Sequence, residues 1–473
     1  MSQAQFPLIG RNELFNYTSE SESKIVKAYK TLICKAMKLF RAEVTDIQAT
    51  EISEGIFMFE AELAKRTIPP EDRRNPLARY KNTTIAALIR RFPKIEWLRI
   101  FNKQFSVANI TLTKEEPIIL WDDEYFKKTV PFLETANLRN VYNFIVWRFV
   151  IATGRIASRK LEDLMFEFLS VNDGYKKPWK LWKKCVSRVS QLLTFAVGRL
   201  YIDFKFSVAA KSRIDSLVDA VNDTMVDILK NNKWMDDATR HGALRKLRKM
   251  SRKLAYPERI RNDTYLNEFY SKVSFTTHLL CLNLCTAQQR HRGYLSFIQV
   301  PRNKTTTDLT NLALVLSIAV LYLLFLLFLH SILVVSGFPA GILQAPFFEY
   351  GVPSYINIGS IGVVIGHELS HAFDDYGSQY DADGLLNNWW TPETRKQFLK
   401  HADCFVQQYG NISFEGGKLQ LNGKNSLGEN IADNLGLKAA YMALQSLDMN
   451  HVKLPGLENF TSEQLFFISN AIV

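Results

Sequence analysis

The sequence predicts a mainly α chain with minor β content, made of a large helical N-terminal part and a smaller C-terminal part. Three observations carry that prediction. A chain of 473 residues is too long for one ordinary domain, so two are expected. From residue 11 to about residue 260 glycines are few, and apolar residues recur at i, i+3 and i+4, the period of an amphipathic helix. The charge also changes sign: residues 337–473 hold 7 Lys+Arg against 14 Asp+Glu, while residues 1–336 hold 52 against 33. Hydrophobic residues make up 47% of the chain, enough for a sizeable core.

The helical part reads in order as Ser23–Lys38, Ile47–Lys65, Leu133–Arg148, Asp215–Lys230 and Asp236–Lys253. The second stops before Ile68-Pro69-Pro70, because proline lacks an amide donor and clashes with the preceding turn. Cations in this part are scattered among apolar helical residues. Even the densest run, Lys176, Lys177, Lys180, Lys183 and Lys184, reads as a solvated helix face. No nucleic-acid partner is expected.

Cys281 to Gln299 follows neither the helical nor the strand period. Leu312 to Val335 is then apolar for 24 residues, broken only by Ser317, His330 and Ser331. By length it could span a bilayer. Arg290, Arg292, Arg302 and Lys304 precede it and Glu349 is the first charge after it, which would set the N-terminal side in the cytosol.

The chemistry concentrates in His367-Glu368-Leu369-Ser370-His371-Ala372-Phe373-Asp374-Asp375, which follows the apolar run Ile361 to Gly366. On a helix, His367 and His371 stand one above the other, so both imidazoles can bind one Zn²⁺. Glu368 then flanks the metal without ligating it and can take a proton from water, as the H-E-x-x-H pattern requires. Only eight histidines occur in the chain, so three matched positions are unusual by chance. Two histidines need a third ligand. Glu429 opens a segment, Glu429 to Ala443, that reads as a helix with Ile431, Leu435 and Ala439 on one side. Asp433 shares the face of Glu429 and can accept the free ring N–H of a ligand histidine, and Asp374 can do so for His371. His401 and His451 are rival third ligands, but neither has a companion acid on its face. Glu429 is preferred.

Downstream of the zinc pattern, Thr391 with Pro392 and Glu393 reads as a helix start, Gly416-Gly417 as a turn and Leu419–Leu421 as a short strand.

Val364 to Asp375, Asp383-Gly384-Leu385-Leu386-Asn387-Asn388-Trp389-Trp390 and Leu427-Gly428-Glu429-Asn430-Ile431-Ala432-Asp433 together resemble the neprilysin and endothelin-converting-enzyme family of zinc endopeptidases. Phe338 to Gln344 with Phe347-Phe348 matches the segment before the zinc helix, and Phe195 to Tyr201 and Trp234-Met235-Asp236 are weaker echoes. The resemblance implies a two-domain, zincin-type metallopeptidase of small peptides with one Zn²⁺ per chain. It implies His367, His371 and Glu429 as ligands and Glu368 as general base. Asp433 is implied as the acid paired with a ligand histidine, sometimes assigned as proton donor.

It also implies an Asn-Ala-(aromatic)-Tyr strand shortly before Phe338, which binds substrate by strand addition. None occurs. The chain is therefore divided into a peptidase-family domain (1–276), an anomalous apolar stretch (277–337) and a zinc catalytic domain (338–473). The middle stretch is read as translated non-coding or mis-spliced sequence. Family members continue past Val473 with an oxyanion-stabilising histidine and a substrate-binding arginine, so substrate-binding residues are not assigned.

The five cysteines include no CxxC pair, so a cysteine-based zinc site is not indicated. The resemblance implies disulfides, with the partner of Cys404 beyond Val473. Asn-x-Ser/Thr sequons at Asn16, Asn82, Asn109, Asn222, Asn262, Asn303, Asn411 and Asn459 fit a glycoprotein of the secretory pathway. Residues 1–10 lack a basic start and an apolar run, so no signal peptide is read there. The implied location is the extracellular face of the plasma membrane, or secretion. Membrane attachment would come through an N-terminal anchor absent from this sequence or through 312–335. Two other readings stand beside an active endopeptidase. One is a relative that binds zinc without efficient cleavage; the other is a membrane protein with a coincidental motif.

Overall fold

The computed structural model describes residues 2–18, 23–271, 335–417, 419–447 and 453–473. These group into two units. Residues Met1–Arg73 and Ala78–Lys183 belong to the first; Arg74–Leu77, Lys184–Ser274 and the C-terminal residues belong to the second.

In the first unit, α1 (Lys24–Phe40) begins where the Ser23 side chain accepts the Val26 amide. Then α2 (Asp46–Arg66) begins with a capping box, in which Thr45 and Gln48 each satisfy the other's amide. A small hairpin pairs β1 (Lys81–Thr84) antiparallel with β2 (Pro117–Leu120). Next come α3 (Asp123–Thr135), α4 (Leu138–Ala157) and α5 (Arg159–Asn172). The long helix expected over Leu133–Arg148 is two. Asn137 caps α4 by accepting the Arg139 amide, and that cap is incompatible with a helix passing through residue 137.

The core of α1, α2, α4 and α5 holds Tyr29, Ile33, Phe57, Trp147, Leu161 and Phe168, all essentially without solvent. One charged side chain is buried there. Glu60 accepts from the Tyr29 hydroxyl at 2.6 Å, and that hydroxyl accepts from Trp147 Nε1 at 2.8 Å. Burial raises the Glu60 carboxyl to about 7, against the opposing pull of that hydrogen bond and of Arg148.

In the second unit, α6 (Val208–Lys230) starts seven residues earlier than its apolar period suggested, because Ser207 caps it. The next helix, α7 (Asp237–Lys249), is shorter than expected. Residues 251–253, read as helix, belong instead to β3 (Ser251–Ala255), which pairs in parallel with β4 (Val335–Pro339). Residues 335–337, grouped with the anomalous stretch, are thus strand. The remainder of that stretch, and the apolar run up to residue 334, lie outside the described residues. Among the described residues no helix is long and apolar enough to cross a membrane.

After β4 the chain enters Ser354–Asn357, a π-helical turn over Ile358–Gly362 and α8 (Val363–Ser370). There follow α9 (Pro392–Gly410), with Pro392 at its first turn and Thr391 as its cap, and the two-residue strands β5 (Ser413–Phe414) and β6 (Leu419–Gln420). Between these strands Gly416 and Gly417 have φ of 66° and 92°, values that favour glycine, as the predicted turn requires. Finally α10 (Leu427–Ser446) and α11 (Ser462–Ile472) close the unit.

Its core joins Val221 and Met225 of α6, Ile365 and Leu369 of α8, Ala439, Ala440 and Ala443 of α10 and Phe466 of α11. Burying each large apolar side chain contributes roughly 1.5–3 kcal/mol. Small residues on α10 let α8 lie directly on it. A Cβ on Gly366 would meet the Gly436 carbonyl oxygen at 2.5 Å, and one on Gly436 would meet the His367 amide nitrogen at 2.4 Å.

Candidate metal centre

The H-E-x-x-H segment is helical, as its spacing predicts. His371 is the C-cap of α8 and its amide donates to the His367 carbonyl, so the two residues are one turn apart on one face. Their rings stand edge to face at 89°, with Nε2 facing Nε2 at 2.9 Å. Glu429 lies in the first turn of α10, and its Oε2 is 3.4 Å from each Nε2. The close contact of Gly366 with Gly436 brings that carboxylate to the rings.

The far edge of each ring is held by an aspartate. Asp433, one turn beyond Glu429, accepts from His367 Nδ1 at 2.8 Å. Asp374 accepts from His371 Nδ1 at 2.9 Å, and its other oxygen accepts the amides of Tyr376 and Gly377. A carboxylate cannot donate when ionised, so each Nδ1 carries a proton, and each Nε2 is left as the nitrogen that offers a lone pair once the ring is neutral. Two Nε2 atoms and a carboxylate oxygen therefore face one spot. These three groups lie within 4.8 Å of one another and could hold a metal ion. Among the described residues they form the one such cluster.

Electrostatics agree. Burial favours neutral rings, but hydrogen bonds to Asp433 and Glu429 push His367 up to about 9, and those to Asp374 and Glu429 push His371 up to about 10. Hydrogen bonds from the same two rings hold the Glu429 carboxyl well below its ordinary range. The corner attracts a cation, whether a proton or a metal. Glu368 sits beside it with only 3% exposure. His401 packs against Trp234, and His451 lies outside the described residues.

Sequence reasoning missed three supports of this corner. Lys246 of α7, 1% exposed, gives all three ammonium protons to the carbonyls of Ala372, Gly377 and Tyr380, each at 2.7 Å. Burial lowers its pKa to about 7, opposed by Asp374 and Asp381. Arg74 pairs with Asp375. The third support is the glycine pair. Only that pair left a signal, since glycine inside an apolar helical pattern marks a close backbone approach. Cys34, Cys185 and Cys404 are free among the described residues.

The fold is the mainly α, zincin-type one in two parts that the sequence predicted. Models of peptidase family M13 match residues 1–257 and 332–473. The chain belongs to peptidase family M13.

It is 35% identical to Neprilysin-1 of Trittame loki, covering 99% of this chain and 65% of that relative. It is 32% identical to human neprilysin, over 94% of this chain and 60% of that protein. With bovine endothelin-converting enzyme 1 the identity is 32%, over all of this chain and 61% of that one. The chain thus spans less than two thirds of the length of these relatives. Among solved structures it is similar to the Mycobacterium tuberculosis zinc metalloprotease ZMP1 in complex with inhibitor. There the TM-score is 0.82 and the identity 26%, covering 99% of this chain and 68% of that one.

Proposed function

We propose that the chain is a zinc-dependent metalloendopeptidase that hydrolyses internal bonds of small peptides, with one Zn²⁺ held by His367, His371 and Glu429. The observation that carries this reading is the convergence of the two Nε2 atoms and the Glu429 carboxylate on one corner. Two imidazoles, neutral once a metal has displaced their Nε2 protons, and a carboxylate suit zinc and would leave a coordination position open to substrate. When bound, the ion supplies Lewis-acid polarisation to a carbonyl and to water.

The protein's own groups do the rest. Glu368, buried beside His367, takes a proton from water as general base and returns it to the leaving amine. Asp374 and Asp433 fix the tautomer and tilt of the two rings. Asp433 faces Nδ1, the ring edge turned away from the corner, which supports a positioning role over proton donation.

The secretory setting is part of the same proposal. The sequon asparagines Asn16, Asn82, Asn109, Asn262, Asn411 and Asn459 are exposed, as carriers of extracellular glycans must be.

Cleavage of an internally quenched peptide tests the proposal. Activity should vanish with a chelator and return with zinc. Glu368→Gln should retain one zinc per chain and lose cleavage by a factor of at least about 10². Glu429→Ala should lose the metal. A parent that binds zinc and cleaves nothing would support the zinc-binding, non-cleaving reading instead.

A further inference from the structure

We infer that Arg74 is a positioning residue of the metal centre, contributed by the part of the chain that matches the first family model. This rests on the zinc site proposed above. The residues on either side of Arg74–Leu77 belong to the first unit, yet this strap belongs to the second. Arg74 Nε and Nη2 donate to the two oxygens of Asp375, each at 2.6 Å. That planar fork is something lysine cannot form. Asp375 directly follows Asp374, the residue that holds His371. The strap is also held by its backbone. Gln379 Nε2 donates to the carbonyls of Arg74 at 3.0 Å and Asp375 at 2.7 Å, and the Leu77 amide donates to Gln379 Oε1 at 3.3 Å.

The other side of the guanidinium faces the third ligand's helix. A Cβ on Gly428 would stand 2.0 Å from Arg74 Nη2 and 2.9 Å from an Asp374 oxygen. Gly428 immediately precedes Glu429. One cation therefore touches both the loop that orients His371 and the helix start that presents Glu429. It also lies in the field of Asp374, Asp375 and Glu429. Without it, three carboxylates would repel one another at the site's edge, and Asp375, largely buried, would lose its partner.

The test measures zinc dissociation constants of the full chain by chelator competition. Arg74→Met and Asp375→Asn should each weaken zinc by about 10- to 100-fold, the range seen when support of a ligand is removed. Arg74→Lys should recover part of that loss, through charge without the fork. In an Asp374→Asn background, Arg74→Met should cost about threefold or less, because both act on His371 through one loop.

Parent-like affinity in Arg74→Met would overturn the inference. So would a loss that adds in full to that of Asp374→Asn, or an Arg74→Lys no better than Arg74→Met. If Arg74→Met does not fold, the near-isosteric Asp375→Asn carries the same comparisons. A parent with no Glu429-dependent zinc site would instead remove the proposed function, and this inference with it.

Discussion

At the scale of single residues, the proposed centre would set protons and metal in competition for the same lone pairs. His367 and His371 hold protons up to about pH 9 and 10, because Asp433, Asp374 and Glu429 outweigh the cost of burial. A metal must displace those protons to bind. Zinc affinity is therefore expected to rise with pH through the neutral range and to flatten only above the ring pKa values. Calorimetry in buffers of different ionisation enthalpy should find one to two protons released per ion. A pH-independent affinity with no proton release would contradict this account of the rings. The same reasoning fixes what Asp433 does: with its oxygen 2.8 Å from Nδ1, Asp433→Asn should weaken zinc by about 10- to 100-fold.

At the scale of elements, two packing features make predictions. The first is the α8–α10 crossing. An alanine at Gly436 would set its Cβ 2.4 Å from the His367 amide nitrogen, against backbone that has no rotamer to move. Gly436→Ala should cost about 1–3 kcal/mol in the melting of the second unit and weaken zinc binding as well, since Glu429 rides on the displaced helix.

The second is the buried Glu60 of α2. Its folded pKa is raised from 4.5 to about 7, so the folded state holds a proton that the unfolded state has released. Stability from the protonated form is full below about pH 4.5 and is lost as pH rises through 7. At about 1.4 kcal/mol per unit, the effect is on the order of 3 kcal/mol. Glu60→Gln keeps the shape and removes the proton, so it should flatten the pH dependence of the first unit's melting between pH 4.5 and 7. An unchanged profile would mean that Glu60 stays ionised in its core.

At the scale of the whole molecule, the second unit gathers its centre from distant parts of the chain. Lys246, Arg74, Asp375 and Glu429 meet around one loop, and a bound metal would add the final constraint. An ion that binds only the folded form stabilises by mass action, about 4 kcal/mol at a thousandfold excess over its dissociation constant. Chelation should therefore lower the melting temperature of the second unit and leave the first unchanged, with recovery on adding zinc back. Equal loss in both units would point to a general effect of the chelator.

What the sequence by itself determined is local. The helical period, the two histidines four apart with the flanking Glu368, and the Glu429/Asp433 pair are each a matter of spacing within a single helix, α8 or α10, and spacing is visible in a string of letters. So were the Thr391 cap and the Gly416-Gly417 turn. Boundaries set by competing interactions were not. The break at Asn137 and the switch from α7 to β3 depend on a cap and a strand partner that no period reveals.

Only the tertiary structure decided which distant residues support the centre. Lys246 reads as one more cation on a basic helix until three carbonyls of the 372–380 loop surround it. Arg74 lies 301 positions from its carboxylate partner, and no local pattern encodes such a pairing. The physical reason is that a helix face follows from neighbours in sequence, whereas burying a charge or bringing two backbones together depends on what the rest of the chain places opposite.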